Sequence, residues 1–352
     1  MDKLQTLIKE KRIQCPNCSV HQFKTEGTIW KGLIECLGCN GVYVINNGVF
    51  QLLNSFNDDV KNEMQSFWTE VLKKAYKQHD IYKDRIIFEE ELCNLEDLFI
   101  HRKHISVTEM PINELKGTKI LEIGSGAGSH SSLFSYKGGD VTSVDITLER
   151  AIETSSKLAT LSADNIGNAF QADAEALPFQ NESFDIIFSN GVLHHTEDTN
   201  SCIQEVHRVL KKDGIAVIML YAKNSFLYWF NLFLFRGLIL GGLFRDKRWL
   251  GRNTEWMSEE KQEIFNPITK VYSSSDLEIM FKNFTSISLR KGGFTFQQIP
   301  LIGPVLSRLV GMHTGYSKAG KLIYNEDWRK ESSFELLLGR YIGFDYMIKV
   351  KK

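Results

Sequence analysis

Ile120-Leu121-Glu122-Ile123-Gly124-Ser125-Gly126-Ala127-Gly128-Ser129 decides how this chain is read. An apolar run ends at Ile123 and glycines follow at every second position. Glycine reaches positive φ without strain, so the chain can turn sharply and lay its backbone against a ligand. A strand ending at Ile123 is predicted, with a helix from about Ser129 capped by that serine. Further apolar runs at Val141–Val144, Ile166–Phe170, Phe184–Ser189 and Ile215–Leu220 alternate with helix-like stretches. That alternation predicts an α/β fold, a mostly parallel sheet with helices on both faces. Ligands of such sheets bind at the carboxyl edge of the strands.

The loop departs from two common phosphate binders. A dinucleotide fingerprint needs G-x-G-x-x-G or a final alanine, and here that position is Ser129. A phosphate loop needs Gly-Lys-Ser/Thr, which the chain lacks at this place. S-adenosylmethionine (SAM) has no phosphate and asks only for close backbone approach, so the spacing favours it. Asp145 ends the next strand, about 20 residues past the first glycine, where an acid can accept from both ribose hydroxyls. Asp173, in Gln171-Ala172-Asp173-Ala174-Glu175-Ala176-Leu177-Pro178-Phe179, follows the third strand and can accept from an adenine amine. Asn190 ends the fourth strand, facing the methyl donor. Either acid alone reads equally well as a helix cap or a surface charge. It is the ordered set that carries the reading.

Together the Glu122–Gly128 loop, Asp145, Asp173–Phe179 and Phe184–His195 resemble the class I SAM-dependent methyltransferases, in particular the subgroup that includes quinone-biosynthesis enzymes. The likeness covers residues 117–222 well and the C-terminal third in outline. It implies a Rossmann-like seven-stranded sheet. It also implies that Glu122 and the backbone of Gly124, Ser125, Gly126 and Gly128 hold the methionine part. Asp145 and Ile146 would hold ribose, Asp173 and Ala174 adenine, and the Asn190 backbone the amino group.

Cys15-Pro16-Asn17-Cys18 and Cys36-Leu37-Gly38-Cys39 form two knuckles separated by residues 19–35. Two facing knuckles complete a tetrahedral thiolate site, and this spacing points to zinc. Four thiolates leave no position for an activated water, so the zinc is expected to be structural. Gly41–Val49 reads as a strand and turn covering the site. With Tyr43, Ile45 and Gly48 after the second knuckle, residues 13–53 resemble the zinc ribbon of the small activator protein of tRNA and protein methyltransferases. Related ribbons precede many bacterial methyltransferases. A stabilising cap on the neighbouring domain is preferred here over substrate recognition.

At 352 residues, about two domains are expected. Three regions are read: a ribbon at 1–55, a charged helical linker or lid at 56–115, and a methyltransferase domain at 116–352 with an insert at 223–272. Phe67, Trp68, Tyr76, Tyr82 and Phe88 are aromatic anchors of the second region. The net charge of −1 disfavours a nucleic-acid partner. Charged Met1–Arg12 lacks a signal core, and paired cysteines as metal ligands suit a reducing compartment, so a cytoplasmic location is expected. The apolar stretch Phe226–Phe244 is long enough to raise a transmembrane span, but Asn231, Arg236 and three glycines interrupt it. A buried helical hairpin or a lid over an apolar substrate is preferred, with peripheral membrane contact the weaker alternative. Oligomeric state is not legible.

Gly191-Val192-Leu193-His194-His195 follows the fourth strand. Either histidine, His195 ahead of His194, can serve as a general base, or the pair can simply shape the pocket. Enzymes that methylate base amines usually carry Asn/Asp-Pro-Pro-aromatic here, whereas this chain has Asn190-Gly191-Val192. A small or medium organic acceptor, lipid-like or aromatic, is therefore expected. Its walls are sought in Tyr221–Tyr272 and Gly292–Tyr316, with Tyr221, Phe226, Tyr228, Trp229, Trp249, Tyr272, His313 and Tyr316 as candidates; for each, ordinary core is the simpler reading. Gly339–Val350 reads as the last antiparallel strand, paired near Thr285–Leu289. An RNA methyltransferase docking RNA through its ribbon, and a silent SAM-binding scaffold, remain as alternatives.

Overall fold

The computed structural model describes residues 5–6, 13–53, 59–75, 80–100, 106–254, 256–258, 263–324 and 327–352. Tyr76 and most of Met1–Arg12 lie outside them. The parallel heart of the sheet is β5 (Lys119–Ile123), β6 (Asp140–Asp145), β7 (Ala169–Gln171), β8 (Phe184–Asn190) and β9 (Leu210–Tyr221). Two antiparallel strands, β10 (Ser286–Gly292) and β11 (Asp345–Lys351), close one side. The order β7-β6-β5-β8-β9-β11-β10 is the expected seven-stranded arrangement.

Side chains alternate across this sheet as strand geometry requires. Ile120, Ile186, Phe188, Val217 and Met347 face one core, which α2 (Arg85–Ile100) and α3 (Ser129–Tyr136) cover with Leu92, Phe99, Leu133 and Phe134. Leu121, Ile187, Ala216, Ile218 and Ile348 face the other, covered by Ile203 and Val206 of α5 (Thr199–Val209). Helix α4 (Leu148–Leu161) connects β6 to β7.

The ribbon continues the sheet. Strands β1 (Phe23–Gly27), β2 (Lys31–Cys36), β3 (Val42–Asn46) and β4 (Val49–Gln51) form an antiparallel meander. Strand β4 then pairs in parallel with β7, Phe50 opposite Phe170, giving eleven strands in all. Those two rings stack with centroids 5.1 Å apart, and Phe179 meets Phe170 edge-on at 5.2 Å. Ribbon and sheet thus share one core.

Several local expectations are corrected. The third strand begins at Ala169, not Ile166, because Gly167 takes φ +82° ahead of it. Helix α3 is entered from Gly128 at φ 75°, and Ser129 donates instead to the Leu322 carbonyl at 2.5 Å. Residues 339–342 belong to helix α9 (Ser333–Ile342), which a Ser332/Glu335 capping box starts; the strand begins at Asp345. Phe226–Phe244 is mostly one π-type helix, α6 (Leu227–Ile239), ending where Gly241 turns left-handed. It is not the buried hairpin expected: Trp229, Phe230, Leu234 and Leu238 face outward. Among the described residues no helix is long and apolar enough to cross a membrane.

Phe170 is 1% exposed and holds ribbon to sheet. Phe170→Ala is expected to cost about 3–5 kcal/mol in chemical denaturation. A loss below about 1 kcal/mol would show that the two parts do not share a core.

Candidate functional site

A cavity of about 200 Å³ opens at the carboxyl edge of β5, β6, β7 and β8. Of the residues singled out from sequence, Gly124, Gly126, Asp145, Ile146, Asp173, Ala174, Asn190 and His195 line it. The turn that makes it is strained for anything but glycine: Gly124 has φ +76°, and a Cβ there would lie 2.3 Å from a Val192 methyl.

Asp145 is 7% exposed. Its Oδ2 accepts from the Gly126 amide at 2.9 Å, and its Oδ1 accepts from the amide and hydroxyl of Thr147, both at 2.9 Å. Burial pushes its carboxyl above the ordinary range, while these three donors oppose the shift. The acid therefore pins the glycine turn to the end of β6. Oδ2 has one protein donor and keeps acceptor capacity for a ligand.

Asp173 lies on the loop after β7. Its Oδ1 accepts from the Glu175 amide at 2.9 Å, and its Oδ2 accepts from Lys61 Nζ at 2.8 Å. Lys61 also donates to Glu175 at 2.7 Å. Burial opposes the charge on Lys61, but the two carboxylates outweigh it and raise its pKa above the usual value. Lys61 belongs to α1 (Asp59–Ala75), which crosses the cavity mouth. Met64 and Trp68 of the same helix line the cavity, and Gln65 donates to the Ile146 carbonyl at 3.0 Å. These four sit at i, i+3, i+4 and i+7, one face of a helix. Sequence reasoning missed Lys61, Met64 and Gln65, and with them Val192 and Thr196 of the lining. The helical spacing was a signal, but without a partner it pointed nowhere.

Other expected residues stand away from the cavity lining. Glu122 is 2% exposed; its carboxylate accepts from Ser131 and lies 3.3 Å from His130 Nδ1. Ser125 meets Thr154, and Gly128 packs on Thr154. His194 is fully buried, its ring 3.7 Å from that of Tyr221. Burial, then the neighbouring His195, holds its pKa well below the usual value. Tyr221 also stacks on Phe344 at 4.3 Å. Tyr272 donates to Thr199 at 2.8 Å. Phe226 packs edge-on against Phe294 at 5.7 Å, and Trp249 lies 6.5 Å from Phe233. Tyr228 and Trp229 pack on each other at 5.2 Å, while His313 and Tyr316 are exposed. None of these aromatics reaches the cavity, because the insert and α8 (Gly303–Thr314) lie beyond its rim.

His195 is 3% exposed, and Trp68 covers it with ring centroids 5.3 Å apart. Its Nδ1 lies 3.0 Å from the Ile268 carbonyl and 2.9 Å from the Asn266 amide group. Asn266 Oδ1 accepts from the Ile268 amide at 3.2 Å, which turns its Nδ2 as a donor toward Nδ1, so the tautomer of the ring follows from which of these two neighbours Nδ1 serves.

Across the ribbon, the four Sγ atoms of Cys15, Cys18, Cys36 and Cys39 lie within 4.8 Å of one another. The pairs Cys15–Cys39 and Cys18–Cys36 are 3.6 and 3.5 Å apart. Thiolates about 2.3 Å from one tetrahedral zinc would be separated by nearly that much. Each knuckle is closed by a residue in the left-handed region, Ser19 at φ 58° and Asn40 at φ 56°. The ribbon also holds the loop after β7: Gln14 donates to the Pro178 carbonyl at 3.0 Å, and Ile13 bridges Phe179.

With the strand order, the glycine turn and the edge acids in place, residues 121–218 match the family model described as a methyltransferase domain. The chain is 38% identical over 96 residues to an uncharacterized methyltransferase, YcgJ, of Bacillus subtilis, covering 27% of this chain and 38% of that one. It is 27% identical over 174 residues to the ubiquinone/menaquinone biosynthesis C-methyltransferase UbiE of Haemophilus ducreyi, covering 49% of this chain and 63% of that one. The chain therefore spans less than two thirds of either relative. A solved SAM-dependent methyltransferase of Thermotoga maritima, described as a possible histamine N-methyltransferase, aligns at TM-score 0.43 and 15% identity, covering 82% of this chain and 100% of that one.

The tightness of the turn is testable. Gly124→Ala is expected to cost about 1–2 kcal/mol for its left-handed backbone and about 1–3 kcal/mol more for the clash with Val192. Adding Val192→Ala should recover only the second part; equal stability of single and double variants would refute the contact.

Proposed function

We propose that this chain transfers the methyl group of SAM to a small or medium organic acceptor of apolar or aromatic character. The observation that carries the reading is the placement of Asp145 and Asp173 on neighbouring strand ends, facing one cavity beside the Gly124–Gly126 turn. Bound there, SAM would supply an electrophilic methyl on a sulfonium. Asp145 would accept from ribose, and Asp173, now bonded to Lys61, from the adenine amine. The Asn190 backbone, at the end of β8, would receive the amino group. Trp68 and Met64 would shut water out from above. His195 would take the acceptor's proton on the ring nitrogen that carries the lone pair.

The quinone-like character of the acceptor is supported by the activity in the name of the UbiE relative. In this reading residues 1–55 form the ribbon, 56–115 the lid and 116–352 the transferase. The four thiolates hold one zinc, which steadies the loop bearing Asp173 through Gln14 and Ile13. Free thiols in the described chain suit a reducing, cytoplasmic setting.

Isothermal titration should show SAM binding by the intact chain. Asp145→Ala should weaken it about 10-fold or more, since a hydrogen bond to a charged group contributes about 1.5–3 kcal/mol. Absence of binding by the wild type would reject the proposal. SAM affinity should also fall as the pH drops, starting above the ordinary Asp pKa of about 3.9, because ligand donors favour the ionised acid. The sign for the apo fold is opposite: an acid whose folded pKa is raised disfavours folding above that pKa, and acidification relieves it.

Once an acceptor is found, His195→Gln should lower kcat by about 10²–10⁴ with SAM affinity little changed. An unchanged kcat would remove His195 from the chemistry. Elemental analysis should give one zinc per chain, lost in Cys36→Ser. That variant should also melt earlier; a zinc-free wild type with the same melting temperature would refute a structural metal.

A further inference from the structure

Three helices beyond the cavity are built inside out. In α8 the residues turned inward are small, Gly303, Ser307 and Gly311. Those turned outward are bulky and apolar: Ile302, Val305, Leu309 and Met312, the last 69% exposed. In α9, Glu335 and Gly339 are buried while Phe334, Leu337 and Tyr341 face out. In α6, Asn231, Leu232 and Gly237 are buried, and Phe230, Leu234 and Leu238 form an outward stripe. A helix packed for water alone turns its apolar stripe to the core.

These faces adjoin. Asn231 donates to the Gln298 carbonyl at 2.6 Å, just before exposed Leu301, and Phe296 stacks on Phe334 at 6.1 Å. Inward-facing Glu335 is bonded in place and accepts from Arg329 at 2.8 Å. The outward orientation is thus fixed by internal contacts.

Charge says what covers this surface. Residues 223–254 carry Lys223, Arg236, Arg245, Lys247, Arg248 and Arg252 against Asp246 alone. Residues 299–321 carry Arg308, Lys318 and Lys321 and no acid. The whole chain has net charge −1, so these two segments carry a local basic excess, whereas the α9 segment, with Arg329, Lys330 and Arg340 against Asp327, Glu331 and Glu335, is neutral. Arg245, Lys247, Arg308 and Lys318 are exposed. Exposed Trp229, Tyr316 and Tyr341 have the mixed character that sits well at a bilayer boundary.

We infer that α6, α8 and α9 form a docking face for an anionic lipid leaflet, with apolar stripes entering the acyl boundary and basic residues meeting headgroups. The face does not depend on the methyl-transfer reading.

The test uses the full chain and sedimentation with phosphatidylcholine vesicles, with and without one-third phosphatidylglycerol. Binding to the anionic vesicles should be about 10-fold tighter or more and should weaken with salt. Two variants probe the two parts: Phe230→Ser/Leu234→Ser/Leu238→Ser, and Arg245→Gln/Lys247→Gln/Arg308→Gln. Each should lose binding about 10-fold while keeping the wild-type melting temperature and SAM affinity. The inference is overturned if the wild type stays in the supernatant with both vesicles, if the serine variant binds as well as wild type, or if the wild type self-associates through this face and the serine variant does not. Loss of SAM binding by the wild type would count against the methyltransferase reading alone.

Discussion

A buried carboxylate at the end of β6 holds the site together. Asp145 gives up water, an unfavourable step for an acid, and three donors from two different turns offset it. One donor is Gly126, so the acid and the glycine turn fix each other's position. The turn in turn requires Gly124, because Val192 from the loop after β8 fills the space where a side chain would stand. Three strand ends are therefore set by one ion and one missing methyl group. A cavity forms where they converge.

The same economy explains the ribbon. A four-stranded meander of this size has little core of its own and would be marginal alone. Here β4 adds to the edge of β7, and Phe50 and Phe170 make one core from two. The exposed edge of β7 is covered, and the cysteine knuckles end beside the loop that carries Asp173. A cap on the sheet and a brace for the site are then the same contact.

What the sequence revealed, and what it hid, follows from the range of the interactions. The glycine turn, Asp145, Asp173 and the cysteine knuckles are each local patterns within a few residues, and all were legible. The alternation of strand and helix points to a parallel sheet, while the seven-stranded arrangement is what the resemblance implies. Lys61 was not legible, because its partner Asp173 is 112 residues away and an isolated lysine on a charged helix is unremarkable. The aromatic candidates for an acceptor wall stand outside the cavity lining for a related reason, since aromatic character alone does not say where a ring packs. Tyr221 serves as core between His194 and Phe344, while Tyr316 faces out. Composition says that a side chain is apolar, but only packing says which way it faces.

Orientation is also the deeper lesson of α6, α8 and α9. Their sequences carry enough apolar residues to look like ordinary core helices, yet apart from Leu232 the inward positions go to glycines, Ser307, Asn231 and Glu335. Small inward residues let helix and sheet backbones approach closely, as Gly339 does against Gly292. That close approach leaves no inner space for large side chains, so these must project outward. The apolar exterior is then a consequence of tight inner packing, and it stands only where the surroundings tolerate it. A face rimmed with arginine and lysine meets that condition against an anionic, partly apolar medium. Such a medium could also hold an apolar acceptor close to the cavity rim.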